Sequence, residues 1–317
     1  MTLAALSDDL VGASIAVYAV AFVLYAVSLS RTVIDRRFGA RTRALSAAST
    51  GQPVLQVGDG LGLQPEPQYV PASGRLVRIA GALVALGFTF NVAGVVARGL
   101  AAERAPWGNM YEFAIVGAAA IVGAYLLALR LYRVESLGVW VVGVVLVVLG
   151  CAVTVLYTSV DALIPVLNSY WLAIHVGAAI VAGGAFTVAA VASGGFLIER
   201  RRERRRGVTN SEGLRSETLE RLSYGMIVFA FPVWTFAVIA GAVWAEAAWG
   251  RYWGWDPKET WAFITWVFYA AYLHAQSTAG WRGVRAAWFS LLGYAAFLFN
   301  FIGVNMWVGG LHSYAGV

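Results

Sequence analysis

Charge, cysteine and lysine are what this sequence has least of. Only 13% of its 317 residues are charged, roughly half the share usual in soluble domains, and mean hydropathy is +0.69. So few charges exclude a chain that lives wholly in water. The single cysteine, Cys151, excludes an intramolecular disulfide and any CxxC pair for metal ligation or thiol exchange. Set in an apolar stretch, it is expected to be a small buried hydrophobe. Lysine occurs once, as Lys258, and histidine three times. There is no convincing internal repeat, so the inverted-repeat architecture of secondary transporters gains no support.

What the chain does have is long apolar runs, with 60% of its residues hydrophobic. A membrane span needs about 20 predominantly apolar residues, and eight such stretches can be placed: 14–34, 75–97, 109–131, 140–157, 169–198, 222–244, 259–277 and 284–307. The expected fold is an all-α integral membrane protein of about eight transmembrane helices. Lys and Arg gather on the cytoplasmic side of short loops. With the N-terminus outside, 19 of the 23 basic residues fall on the inner side, and only Arg98, Arg104, Arg251 and Lys258 remain outside. Both termini are therefore expected on the extracytoplasmic (periplasmic) side. The net charge of +6 requires no nucleic-acid partner, because membrane topology and anionic lipid already account for these flanking residues. The first apolar stretch is long enough to span and is followed by arginines, so no cleavable signal peptide is expected.

Three segments follow along the chain. Residues 1–42 are the first span with its basic flank. Residues 43–75, RALSAASTGQPVLQVGDGLGLQPEPQYVPASGR, read as a flexible cytoplasmic linker with no assigned function. Residues 76–317 form a seven-helix membrane domain. A second inner loop, ERRRERRRGVTNSEGLRSETLERLS, extends the fifth span with charge, and a short amphipathic helix is expected from Ser216. In an outer loop, PWGNMYEF places Pro106, Asn109 and Glu112 at a helix start. Ordinary capping and a functional role explain that motif equally well.

The segment WGRYWGWDPKETW, Trp249 to Trp261, carries the sole lysine among four tryptophans. Asp256 suits a helix cap, Pro257 the first turn, and Glu259 completes a capping box. The resulting helix start, with its free N–H groups, favours anionic groups. Tryptophans gather at membrane interfaces in any case. A belt accounts for a few scattered rings, but not for so dense a run with Gly250 and Gly254 interleaved, which suits a large planar ligand held against backbone. Arg251 and Lys258 would meet its anionic edge, although lipid headgroups would satisfy either one.

Histidine is a common metal ligand, haem iron included, and ionisable residues inside a membrane are functional hypotheses by default. His175 lies seven residues into the fifth span, roughly 10 Å below its outer boundary, and His312 follows the last span on the same side. His274 lies fifteen residues after Glu259, roughly 22 Å deeper. Two sites are implied: an outer one with two histidines, and an inner one with a single histidine awaiting a partner.

With WAEAAWGRYWGWDPKETWAFITW, SYWLAIHV, YLHA, GLHSY and PWGNMYEF in view, the chain after about Arg75 resembles the CcsA (ResC) family of system II cytochrome c biogenesis. That family is one of the haem-handling proteins marked by a tryptophan-rich WWD motif. The resemblance implies transport of haem b (iron protoporphyrin IX) across the bacterial cytoplasmic membrane. It also implies presentation to apocytochrome c on the extracytoplasmic face, where CxxCH cysteines form thioethers with the vinyls. The reaction is that of a holocytochrome c synthase, with this chain as one subunit. By motif, His175 and His312 would be axial ligands of the outer haem, beside Trp249, Arg251, Trp253, Trp255, Asp256, Lys258 and Trp261. His274 would ligate an inner haem, completed by a CcsB (ResB)-type partner, and a thioredoxin-like thiol reductant would keep the cysteines reduced. No catalytic residue is singled out. CcmC-type relatives are shorter and CcmF-type relatives much longer; the inner His274 and the eight spans favour CcsA. The rivals are a multi-haem electron-transfer subunit, for which three histidines are too few, and an iron-free permease for another planar amphiphile.

Overall fold

The computed structural model describes residues 2–50, 74–160, 169–206 and 216–312, and among these all regular structure is helical. The helices are α1 (Leu3–Thr50), α2 (Gly74–Ala102), α3 (Met110–Leu131), α4 (Gly138–Thr154), α5 (Tyr170–Arg206), α6 (Ser216–Trp249), α7 (Pro257–Ser277) and α8 (Val284–Leu298). A π-type turn at Phe299–Gly303 leads from α8 into the short α9 (Val304–Trp307). Seven stretches are long and apolar enough to cross a membrane. The remaining long helix, α7, carries Lys258, Glu259 and a polar end; its 21 residues span about 32 Å. The protein is a multi-pass membrane protein.

Several boundaries differ from the sequence reading. Helix α1 runs to Thr50, so the backbone of residues 43–50 is helical where a linker was expected; residues 51–73 of that linker lie outside the described residues. No separate amphipathic helix begins at Ser216, because that residue opens α6, which continues unbroken to Trp249. Cys151 is exposed rather than buried. A thiol is apolar enough to face lipid tails, so an apolar stretch does not fix its direction.

Helix α5 is the hub, packing on α6, α3 and α8. Its middle is glycine and alanine, which lets backbones approach closely in the absence of a hydrophobic drive between helices in lipid. A Cβ at Gly184 would sit 2.6 Å from the backbone of Ala120 in α3, and one at Gly183 would strike the Phe297 ring. In the centre, Phe186 stacks on Tyr269 at 3.7 Å, with Trp234 and Phe297 set edge-on to Phe186. Trp234 and Phe297 also form part of the floor of the cavity described next.

At the same end of the bundle, Asn109 caps α3, its side chain accepting from the Glu112 N–H at 2.8 Å. Glu112 does more than complete the cap. Its carboxylate accepts from Arg98 Nε at 3.1 Å, from Arg104 Nη1 at 2.6 Å and from the Gly108 N–H at 2.9 Å. Arg98, placed outside by the sequence reading, is fully buried, and its Nη2 donates to the carbonyls of Thr158 and Ser159. A buried charge is tolerated only when paired and hydrogen-bonded, and this cluster meets that condition while fixing the loops after α2 and α4 to the start of α3.

Candidate functional site

The site begins with the turn before α7. The capping box read from WDPKE is present: Glu259 Oε2 accepts from the Asp256 N–H at 3.0 Å, and Asp256 Oδ1 accepts from the Lys258 N–H at 3.1 Å. Glu259 Oε2 also takes the Gly254 N–H at 2.8 Å, and its other oxygen faces Arg251 Nη1 at 3.5 Å. Glycine is needed at 254 because a Cβ there would overlap the Arg251 guanidinium. Trp255 has φ +57, a left-handed conformation uncommon for a bulky residue and often found at functional turns. The turn places Trp255 outside, 65% exposed, with Trp253 edge-on to it at 5.7 Å and on the cavity side.

Asp256 then reaches across 56 positions of sequence. Its Oδ1 lies 2.8 Å from His312 Nδ1, and its Oδ2 accepts the Leu311 N–H at 2.8 Å. Burial alone would raise its pKa, but the hydrogen bonds from His312, Leu311 and Lys258 outweigh that and pull it down to about 2. The carboxylate is therefore an acceptor throughout the physiological range, and His312 must donate through Nδ1. The imidazole of His312 is flanked by Trp249 at 4.9 Å and Trp244 at 6.0 Å.

His175 is fixed differently. Its Nδ1 lies 2.7 Å from the carbonyl oxygen of Ala237 in α6, and a carbonyl can only accept, so Nδ1 carries the proton. The ring sits where α6 has Gly241, at which a Cβ would come within 2.7 Å of it. In each neutral ring Nε2 is left with the lone pair, the state in which imidazole binds a metal.

Both histidines line one cavity, together with Trp249, Trp253 and Lys258. Its volume is about 1210 Å³, the space open to the outside included, ample against the roughly 300–1,000 Å³ of typical ligand pockets. Among the described residues no group of three or more His, Cys, Asp or Glu side chains could hold a metal ion. Two imidazoles with free Nε2 atoms in a large, mainly apolar, tryptophan-walled cavity instead suit a planar macrocycle that brings its own equatorial ligands, and in that sense the residues fit haem.

Of the other residues singled out in sequence, Arg251, Trp255, Asp256 and Trp261 do not line the cavity. Arg251 serves Glu259 and lies over the Trp249 ring at 6.0 Å. Trp261 packs on Phe299 at 4.2 Å. His274 is exposed in the last turn of α7, at the far end from the capping box, and its ring has no partner among the described residues.

Sequence reasoning missed one wall of the cavity. Trp107, Met110 and Phe113 line it from the start of α3, and Asn300, Phe301 and Asn305 from the π-type turn and α9. The two groups meet where Phe113 stacks on Phe301 at 4.3 Å and Asn305 Nδ2 lies 2.8 Å from Met110 Sδ. PWGNMYEF was the available signal for the first group. Nothing in the sequence marked the second, since a π-type turn has no compositional signature.

Comparisons with known proteins agree with this geometry. The family model described as Cytochrome C assembly protein matches residues 107–312. The cytochrome c biogenesis protein CcsA of Gloeobacter violaceus is 33% identical over 274 residues, covering 69% of this chain and 81% of that protein. CcsA of Guillardia theta is 40% identical over 169 residues, covering 48% and 56%. The solved structure of cytochrome c heme lyase CcmF superposes with a TM-score of 0.65 over 95% of this chain and 47% of its own, at 20% identity, a likeness of fold. The matched segment takes in the tryptophan turn, the cavity and all three histidines, and the chain accordingly belongs to the cytochrome c assembly family, among its CcsA-type members, with its role in cytochrome c biogenesis.

Proposed function

We propose that the chain binds haem at the tryptophan end through His175 and His312 and presents it to apocytochrome c for covalent attachment, as one subunit of a CcsA–CcsB cytochrome c synthase. The observation that carries this reading is the convergence of the two imidazoles, each with Nδ1 committed, on one cavity. The substrate is haem b, bound and passed on. Lys258, at the cavity edge beside the start of α7, would meet a propionate, and Trp249 and Trp253 would shield the ring from water. Ligation by two imidazoles holds the iron in both redox states. In the attachment step each cysteine S–H adds across a vinyl double bond, forming a C–S bond with no net change in oxidation state, while a thioredoxin-like reductant keeps the cysteines as thiols.

The distribution of basic residues supports placing the tryptophan end on the extracytoplasmic face of a bacterial cytoplasmic membrane, because the arginine-rich stretches fall at the opposite end. His274, exposed at that opposite end, is one half of a haem site whose second ligand a CcsB-type partner would supply. Haem would arrive there and leave at the tryptophan end.

The test is to purify the chain with and without a CcsB-type partner and record absorption spectra of the native protein and of His175→Ala and His312→Ala. Native protein with a Soret band that either substitution removes or shifts is the expected result. A colourless protein, even with its partner, would favour an iron-free permease.

A further inference from the structure

Asp256 is the only group that touches both the histidine strap and the tryptophan turn through one side chain. Its two oxygens take three hydrogen bonds: from His312 Nδ1, from the Leu311 N–H and from the Lys258 N–H. Gly310 passes so close that a Cβ there would lie 2.8 Å from Asp256 Oδ2, so the strap is laid directly against the carboxylate. Asp256 itself does not line the cavity. It acts on whatever is bound there through His312.

We propose that Asp256 is a positioning residue that makes the two histidines unequal ligands, with His312 the stronger donor. The inference rests on the haem-binding reading above. His175 is hydrogen-bonded to a neutral backbone carbonyl, whereas His312 is bonded to a carboxylate. A carboxylate partner raises the basicity of a metal-bound imidazole, and a more basic ligand favours ferric over ferrous iron. The reduction potential of haem at the tryptophan end is therefore set low by Asp256, so that the iron is held oxidised until a reductant arrives. The strap, anchored through the Leu311 N–H, keeps His312 at hand when the ring leaves the iron.

Asp256→Asn is the discriminating variant. The amide keeps an oxygen to cap α7, and Asn is as good a cap as Asp, so the fold survives while the negative charge is lost. Potentiometric titration of the haem-loaded native protein and the variant is expected to give a higher midpoint potential for Asp256→Asn, with the Soret band still that of a two-histidine site. An unchanged potential would overturn the proposal and leave Asp256 as a helix cap alone. Hydrogen–deuterium exchange in haem-free protein provides a second reading. Exchange at the Leu311 amide should quicken in the variant by about tenfold, the order expected when a hydrogen bond to a charged acceptor is weakened. Equal exchange in both proteins would show that the carboxylate does not hold the strap. Failure of the native protein to bind haem at all would defeat the functional reading instead, and the exchange measurement would still decide the clip.

Discussion

At the tryptophan end of the bundle each histidine has a fixed hydrogen-bond partner, and both share one cavity. At the arginine-rich end His274 stands exposed on the last turn of α7, with no ring partner among the described residues. The same helix thus begins in a dense network of cap, clip and ion pair and ends in a bare imidazole. One end is complete within the chain. The other is shaped as a contribution to something assembled with a second protein, and the contrast explains how one chain can hold a substrate firmly where chemistry happens and only partly where it is handed over.

The largest effect that would break this comparison is expected from His175→Ala. With its Ala237 anchor a backbone atom and its cradle formed by Gly241, no neighbouring side chain can substitute for it, so haem bound at the tryptophan end should be lost from the spectrum of the purified protein. Retention of an unaltered Soret band would mean that the two ends had been ranked wrongly.

Next in size is Glu112→Ala, which leaves Arg98 buried without its counter-charge. Removing one partner of a buried ion pair costs about 3–5 kcal/mol, to be measured by thermal or denaturant unfolding in detergent. A loss below about 1 kcal/mol, the scale of an exposed ion pair, would show that the rigidity of this end comes from elsewhere. A smaller effect is expected from Gly241→Ala. The added methyl meets the His175 ring at 2.7 Å, and the ring must shift, which should weaken haem binding by about tenfold given the 1–3 kcal/mol cost of overpacking. Spectrophotometric haem titration reads it directly, and unchanged affinity would mean that His175 is not held where the structure places it. The smallest effect is expected from His274→Ala in the chain alone. Its spectrum should match the native one, and a difference should appear only when a CcsB-type partner is present. A change in the isolated chain would erase the distinction between a complete and an incomplete end.

Much of this was readable from sequence because it is local. The capping box at Asp256 and Glu259 spans four residues and was visible as WDPKE, and the spans were visible because lipid demands unbroken apolar runs. What escaped was pairing at a distance. Nothing in GLHSY announces that Asp256 would hold both Leu311 and His312, and Arg98, apparently one of four outer basic residues, proved to be buried against Glu112, fourteen positions on. Trp255 and Asp256 belong to one motif, yet the backbone sends the first outward and the second inward, a split set by a single left-handed residue. Cys151 was misread for a related reason, since in a membrane an apolar environment is found on both faces of a helix.

The π-type turn at Phe299–Gly303 has a consequence for how this family can vary. It holds one more residue per turn than an ordinary helix, which acts as a phase offset for everything downstream. Losing a single residue there would restore the usual winding and rotate the rest of the chain by about 100°. Asn305 would be carried off Met110, and the strap that ends in His312 off its clip. Substitutions in this stretch are changes of side chain, whereas a one-residue deletion is a change of angle, felt in full at the histidine some ten positions later.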